Sequence, residues 1–181
     1  MESEMKAKVT YVSGGCRSGK SRFAESLATE VAGNRVYLAT AEILDDEMRV
    51  RVERHRKDRG AAFQTIEATL DLAAALRGLP SDTSVVLIDC LTVWLGNLMH
   101  YQRNFSEQHP YIQEFLQVLR EPPCPLIMVS NELGMGIVPE SAMGRRFRDV
   151  AGRLNQEVAA ISDEAYFVVS GLSIPLKGGC S

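Results

Sequence analysis

The sequence predicts an α/β fold in which helices flank a mostly parallel central sheet. Short β-rich runs alternate with helical segments along the chain, which is the pattern of consecutive strand–helix units. The run Ser84–Asp89 (SVVLID) is almost wholly apolar, as expected for a parallel strand covered on both faces. The first β-rich run, Lys8–Ser13 (KVTYVS), ends at two glycines. These observations predict a buried first strand that feeds a loop at the edge of the sheet.

The elements of the first half of the chain each have a local signal. Phe23 and Leu27 begin a four-residue apolar repeat, which predicts a helix from Lys20 onwards. Short runs rich in β-branched and aromatic residues predict further strands at Arg35–Ala39 and Phe63–Ile66. Helix-forming composition with acidic N-cap residues predicts helices at the densely charged Asp45–Arg59 and at Asp71–Arg77.

In the second half, apolar runs predict buried strands and longer amphipathic segments predict helices. The strands are Leu126–Ser130 (LIMVS) and Tyr166–Val169 (YFVV). The segment Asn131–Pro139 is glycine-rich, so an irregular loop is expected there. The predicted helices are Leu91–Tyr101, Tyr111–Arg120 and the long amphipathic Ser141–Ser162.

Length and composition narrow the class of protein. A chain of 181 residues suits one compact domain, expected to span 1–181. The net charge of -3 argues against a general nucleic-acid binder. Met1–Lys8 lacks the apolar run of a signal peptide and no stretch reaches the roughly 18–20 apolar residues of a membrane helix, so a cytoplasmic protein without membrane insertion is expected. Reduced thiols are expected because no Cys-x-x-Cys pair occurs among Cys16, Cys90, Cys124 and Cys180.

The loop after the first strand fits the phosphate-binding pattern G-x-x-x-x-G-K-[ST]. Its glycines allow successive backbone N–H groups to point at phosphate oxygens, and the following helix adds its positive N-terminal end. A chance glycine turn is the alternative, but the pattern here lies between a predicted strand and a predicted helix. The predicted phosphate-binding residues are Gly14, Gly15, Cys16, Arg17, Ser18, Gly19, Lys20 and Ser21.

Three side chains of the predicted site have specific roles in this chemistry. Lys20 is expected to neutralise the β- and γ-phosphates, and the Ser21 hydroxyl is expected to coordinate Mg²⁺. Asp89 ends the next strongly apolar strand, where folds of this kind place a second magnesium ligand. A strand-ending aspartate without a ligand role is the alternative for Asp89.

A histidine in a strongly basic segment is the candidate nucleophile. His55 lies four residues from both Arg51 and Arg59 on the predicted helix. Surrounding positive charge favours the neutral imidazole, which can attack an α-phosphorus and form a phosphoramidate. The local pattern alone nevertheless favours an exposed histidine on a solvated, charged helix. His100 and His109 form no metal-ligand constellation with a cysteine.

With these segments in place, the chain resembles the bifunctional adenosylcobinamide kinase/adenosylcobinamide-phosphate guanylyltransferase family of cobalamin biosynthesis. The matching segments occur in the expected order over nearly the whole chain, and the segment SNELGMGIVP is far more particular than the phosphate loop. They are Gly14–Ser21, Tyr37–Glu42, Glu53–Arg59, Asp89–Leu95, Val129–Pro139, Gly144–Asp149 and Asn155-Gln156.

The resemblance implies two reactions on one intermediate. A nucleoside triphosphate, ATP or GTP, phosphorylates the aminopropanol hydroxyl of adenosylcobinamide, and GTP then donates GMP to that phosphate with release of pyrophosphate. In this family a histidine after the second strand carries GMP covalently, and the matching position is His55. A RecA-like P-loop fold and a homotrimer with sites between subunits are also implied.

Further nucleotide contacts carry over from the resemblance. Arg56 and Arg59 are the candidates for neutralising phosphate charge, and Glu67 is placed to accept hydrogen bonds from guanine or ribose. The glycine-rich Asn131–Pro139 loop is a candidate wall for the corrinoid. The full set of implied contacts beyond the phosphate loop is Ala39, Thr40, Ala41, Arg56, Lys57, Asp58, Arg59, Glu67 and Asp89.

Departures from the family pattern and rival functions define what must be tested. Cys16 replaces the usual alanine of the loop, and the tail Leu172–Ser181 diverges from the usual ending. One rival is a P-loop kinase for a small metabolite, in which His55 carries no covalent intermediate. A second is a nucleotide-switch regulatory ATPase, and a third keeps the family fold but has lost one half-reaction.

Overall fold

A computed structural model gives the fold of the chain and describes residues 7–42, 46, 62–101 and 105–178. Apart from Asp46, the predicted helix Asp45–Arg59 lies outside these residues. The strands are β1 (Val9–Gly14), β2 (Asn34–Ala39), β3 (Gln64–Glu67), β4 (Thr83–Asp89), β5 (Leu126–Asn131), β6 (Glu164–Val169) and β7 (Leu172–Lys177). The helices are α1 (Lys20–Glu30), α2 (Leu72–Arg77), α3 (Leu91–Tyr101), α4 (Pro110–Arg120) and α5 (Ala142–Ile161).

The strands form one seven-stranded sheet with the order β3-β2-β4-β5-β1-β6-β7. All neighbouring pairs are parallel except β6 and β7, which are antiparallel. This arrangement confirms the predicted α/β fold with a mostly parallel sheet flanked by helices. Because parallel strands end at the same edge, the loops that follow β1, β2, β4 and β5 meet at the carboxyl edge of the sheet.

The last strand was missing from the sequence prediction. Ser170 and Gly171 both have positive φ angles, 53° and 80°, and form a two-residue turn that folds β7 back onto β6. All six residues of β7 are exposed, and Pro175 interrupts the run. An edge strand of this kind lacks the alternation of buried and polar residues by which strands are recognised.

Helices cover both faces of the sheet. On one face, Ala24 and Ala28 of α1 pack on Val12 and Val129. On the other face, α2, α3, α4 and α5 enclose a larger core around the fully buried Trp94. The indole ring of Trp94 lies edge-on to Phe115 with centroids 5.1 Å apart, and its N–H donates to the Leu70 carbonyl at 2.7 Å. Such buried aromatic side chains stabilise the fold by about 1.5–3 kcal/mol each.

Three of the helices begin with residues that favour the start of a helix. The Asp71 carboxylate accepts the Ala74 N–H at the start of α2, and the Ser141 hydroxyl accepts the Gly144 N–H at the start of α5. Pro110 occupies the first turn of α4, where its missing N–H costs nothing. In the described part of the chain, no helix combines the length and apolarity required to cross a membrane.

Candidate nucleotide-binding site

The loop between β1 and α1 turns through two left-handed backbone conformations. Arg17 has a φ angle of 56° and Gly19 one of 96°. A Cβ at Gly19 would also lie 3.2 Å from the Cα of Gly171, whose N–H donates to the Ser18 carbonyl at 2.8 Å. The β6–β7 turn therefore supports the phosphate loop from behind, and position 19 requires glycine both for its φ angle and for this contact.

The first glycine of the loop is required by packing. A Cβ at Gly14 would lie 2.4 Å from the backbone oxygen of Val168 and 2.6 Å from the Ser18 hydroxyl oxygen. By contrast, a Cβ at Gly15 would meet nothing within 4 Å. The glycine at position 14 thus allows the end of β1 to pack closely against β6, and position 15 faces open space.

Lys20 is held over the loop that precedes it. Its side chain is largely buried, and its ammonium group donates to the Gly15 carbonyl at 3.0 Å. An ammonium group has three N–H donors, so further donors are available to a ligand. The Ser18 hydroxyl is buried beside Gly14 and has no hydrogen-bond partner among the described residues. The loop therefore presents a fixed cation to an anion, and it contains a buried hydroxyl whose hydrogen-bonding capacity is unused.

Several of the predicted site residues lie along the same edge of the sheet. Ala39 of β2 is aligned with Asp89 of β4 on one side and with Glu67 of β3 on the other. Asn131 of β5 is aligned with Gly14 at the start of the loop. The predicted segments Gly14–Ser21, Ala39–Ala41, Glu67 and Asp89 therefore end at one carboxyl edge. His55 and Arg56, Lys57, Asp58 and Arg59 lie outside the described residues.

Thr40 holds two of these strand ends together. Its fully buried hydroxyl donates to the Cys90 carbonyl at 3.0 Å and accepts the Cys90 N–H at 2.9 Å. Asn97 of α3 donates to the carbonyls of Thr40 at 2.8 Å and Thr69 at 2.9 Å. The Thr40 side chain is thus committed to internal bonds that fix the ends of β2 and β4. Burial raises the pKa of the Cys90 thiol to about 11, helped by the nearby Asp89 carboxylate, so this thiol stays protonated at neutral pH.

A buried polar network supports the end of β5, and the sequence analysis did not include it. The Asn131 N–H donates to the Thr92 hydroxyl at 2.8 Å, and its carbonyl accepts from the Asn155 amide at 3.1 Å. The Ser130 hydroxyl donates to Asn155 at 2.8 Å and lies 3.2 Å from the Thr92 hydroxyl. The amide oxygen of Asn131 itself is buried and has no partner among the described residues. The available signal was the presence of polar residues at core positions of α3, β5 and α5.

Tyr11 lies in β1, close to this network. Its hydroxyl is buried, and the side chains of Ser13 and Ser130 lie near it. Burial is the main cause that raises the pKa of Tyr11 above its usual range, and the Glu132 carboxylate adds to the effect. The phenol therefore stays neutral, and Tyr11 adds no charge beside the buried polar network.

The two predicted magnesium ligands have side chains of the kind that Mg²⁺ binds. Ser21 and Asp89 are both half-buried, and a hydroxyl with a carboxylate is a donor set that Mg²⁺ accepts. Among the described residues there is no group of three or more His, Cys, Asp and Glu side chains that could hold a metal. The donor set fits an ion that is held jointly by one or two protein oxygens and by nucleotide phosphates.

A strand, a glycine-rich loop with a fixed lysine and a helix at the carboxyl edge of a parallel sheet define a P-loop nucleotide-binding enzyme. The fold is similar to that of the solved ATP synthase subunit NeqB from Nanoarcheaum equitans, with a TM-score of 0.53 and 12% identity. That similarity covers 90% of this chain and 47% of the NeqB chain. At this identity the likeness concerns the fold alone.

The sequence comparisons identify the family. Residues 10–176 match the CobU family model, described as cobinamide kinase / cobinamide phosphate guanyltransferase, and the chain belongs to this family. It is 39% identical over 178 residues to the bifunctional adenosylcobalamin biosynthesis protein CobU of Escherichia coli strain K12, covering 92% of this chain and 98% of that protein. It is 44% identical over 168 residues to the corresponding protein CobP of Pseudomonas aeruginosa, covering 91% and 95% respectively.

Family membership confirms the resemblance predicted from the sequence. The chain is an enzyme with the two activities of this family, a kinase and a guanylyltransferase, and its P-loop fold suits the nucleotide substrates of both. The comparisons give no support to the regulatory ATPase or to the single-activity kinase.

Proposed function

We propose that the chain phosphorylates adenosylcobinamide with ATP or GTP and then transfers GMP from GTP to adenosylcobinamide phosphate, through a covalent adduct on His55. The products of the second step are adenosylcobinamide-GDP and pyrophosphate. The observation that carries the proposal is the phosphate loop with Lys20 fixed above it, in a chain of this family.

In the kinase step, the loop binds and orients the triphosphate. Backbone N–H groups of Gly14–Ser21 point towards the phosphates, and Lys20 offsets the charge that develops during transfer. The aminopropanol hydroxyl oxygen bonds to the γ-phosphorus as the bond between the γ-phosphorus and the β–γ bridging oxygen breaks. The nucleoside diphosphate leaves with the electron pair, and the hydroxyl proton is released.

In the guanylyl-transfer step, His55 is the proposed nucleophile. A neutral imidazole nitrogen forms a bond to the α-phosphorus of GTP, and pyrophosphate leaves with the electron pair of the broken P–O bond. An oxygen of the acceptor phosphate then bonds to the same phosphorus, and the P–N electron pair returns to the imidazole. Arg56 and Arg59 follow His55 in the sequence and are proposed to offset phosphate charge.

The remaining site residues are proposed to bind the nucleotide. Ala39 and Ala41 line it at the end of β2, where Thr40 fixes the backbone, and Glu67 accepts hydrogen bonds from guanine or ribose. Lys57 and Asp58 complete the segment after the nucleophile. Ser21 and Asp89 would hold Mg²⁺, which neutralises phosphate charge when bound. The proposal also includes a single domain over 1–181, a homotrimer and a cytoplasmic location, all supported by the family resemblance and the sequence.

Intact-mass measurement after incubation with GTP and Mg²⁺ tests the proposal. We expect an acid-labile gain of one GMP in the wild type and in His100→Ala, a matched control with another histidine replaced, and no gain in His55→Ala. Lys20→Ala should lose the adduct and the phosphorylation of adenosylcobinamide together. If the wild type binds GTP and phosphorylates adenosylcobinamide but never gains GMP, the kinase-only alternative is correct.

A further inference from the structure

An open cleft of about 970 Å³ runs along the exposed face of the first half of α5. Gly134 from the loop after β5 and Glu107 from the loop before α4 also line it. Four arginines and two carboxylates contribute to its walls, which gives the cleft a formal excess of two positive charges in a chain whose net charge is -3. The charged residues are Glu107, Arg145, Arg146, Arg148, Asp149 and Arg153.

Three of these arginines have no internal partner. Arg146, Arg148 and Arg153 make no hydrogen bond or ion pair within the described residues; the arginine ion pair found there joins Arg77 to Glu114, elsewhere on the surface. A guanidinium group offers five N–H donors in a fork that matches phosphate oxygens. The cleft therefore presents several unused anion-binding groups, of which Arg146 and Arg153, seven residues apart, share one face of α5.

The fourth arginine fixes the wall of the cleft. Arg145 donates to the carbonyls of Pro139 at 3.1 Å and Glu140 at 2.6 Å, which ties the end of the loop to the first turn of α5. A Cβ at Gly144 would lie 2.9 Å from the Cβ of Pro139, so the loop packs closely on the helix. The loop and the helix thus form one supported surface rather than two independent ones.

The loop after β5, which contributes Gly134 to the cleft, also exposes large apolar side chains. Met135 is 80% exposed and Ile137 is 96% exposed, and Val138 in the loop and Met143 at the start of α5 are also exposed. A group of exposed apolar residues next to a charged cleft indicates an interaction site, because single soluble domains rarely leave such groups uncovered. The ligand that suits this surface is both anionic and bulky.

The cleft adjoins the nucleotide-binding edge. The Glu132 N–H donates to the Gly14 carbonyl at 3.0 Å, so the loop starts directly beside the phosphate loop. Asn155 contacts the end of β5, and Arg146 lies earlier in the same helix. At the rise of an α-helix, α5 extends about 13 Å from Asn155 to Arg146, beyond the edge of the sheet. A ligand in the cleft would therefore lie on the side of the sheet edge from which an acceptor can approach the phosphates.

We propose that this cleft binds the corrinoid acceptor, with Arg146 and Arg153 binding its phosphate and the apolar loop residues contacting its macrocycle. The inference rests on the proposed function and names the acceptor site for it. In the second step the acceptor phosphate must approach another phosphorus, and both carry negative charge. The arginines offset that repulsion. In the first step the acceptor has no phosphate, so the arginines contribute little to its binding.

Steady-state kinetics with both acceptors test this assignment. Arg146→Gln and Arg153→Gln should each raise the KM for adenosylcobinamide phosphate by about 10-fold, the usual effect of losing a charge-assisted hydrogen bond. The KM for adenosylcobinamide in the kinase step, and GMP adduct formation from GTP, should stay within about 2-fold. Arg120→Gln, which replaces an exposed arginine in the last turn of α4, is the matched control and should change neither KM.

A second variant tests the apolar loop residues separately from the arginines of the cleft. Ile137→Ser removes an almost fully exposed apolar side chain without disturbing the core, and it should raise the KM for both acceptors by the same factor. An equal rise for both acceptors in the arginine variants, or no rise in either, would overturn the assignment. Sedimentation would also overturn the assignment if the variants dissociated and lost activity in proportion to the dissociation. The cleft would then be a contact with a second copy of the chain. A wild type without either activity would instead reject the proposed function.

Discussion

The phosphate loop and the end of β5 lie side by side, at Gly14 and Asn131, yet they are built differently. The loop depends on backbone geometry within one short stretch of sequence. The end of β5 depends on side chains contributed by α3, β5 and α5, which bond to both backbone groups of Asn131. One edge of the sheet therefore combines two kinds of structure. The anion-binding loop is formed by residues that are neighbours in the sequence, whereas the end of β5 is held by residues that only folding brings together.

The largest effect is expected where the loop meets the sheet. Gly14→Ala places a methyl group 2.4 Å from the Val168 carbonyl oxygen, a backbone atom that cannot move aside cheaply. We expect the free energy of unfolding to fall by about 1–3 kcal/mol, as for other overpacked sites, together with a loss of nucleotide affinity. Chemical denaturation and nucleotide titration measure the two effects.

Gly96→Ala is the matched control for this prediction. A Cβ at Gly96 meets nothing within 4 Å, and the position lies inside α3, where alanine is preferred to glycine by about 0.5–1 kcal/mol. Its stability should therefore be unchanged or higher. Equal stability of Gly14→Ala and the wild type would show that the loop relaxes around the added methyl group. The loop would then not depend on its backbone geometry in the way that distinguishes it from the end of β5.

The second prediction concerns the network at β5. Asn155→Ala removes the acceptor for the Ser130 hydroxyl and the amide donor to the Asn131 carbonyl, which should lower the free energy of unfolding by about 1–3 kcal/mol. Nucleotide affinity should change less than in Gly14→Ala, because the loop itself is untouched. Gln156→Ala, an exposed neighbour on the same helix, should stay within about 0.5 kcal/mol of the wild type. A loss of affinity without a loss of stability would contradict the supporting role of Asn155.

The same contrast explains what could be predicted from the sequence. Three features could be predicted from local patterns: the positions of the parallel strands along the chain, the phosphate loop, and Asp89 at the end of a strand. Apolar runs and the glycine motif are recognisable within a few residues of sequence. Thr92, Ser130 and Asn155 could not be assigned from the sequence, since their partners are distant in the chain and each looks like an isolated polar residue. The strand β7 was missed for a related reason: its exposed residues pair through backbone atoms.

The smallest effect compares two thiols, one in the loop and one just before β5. Cys16 is exposed, whereas burial raises the pKa of Cys124 from 9.0 to about 11. A thiol whose pKa is higher in the folded state contributes stability below pH 9, and this stability is lost as the pH rises towards 11. We expect a loss of about 1 kcal/mol at pH 10 from Cys124, measured by denaturation at several pH values. The loss should be smaller by that amount in Cys124→Ala; identical pH profiles for this variant and the wild type would mean that Cys124 does not cause the loss.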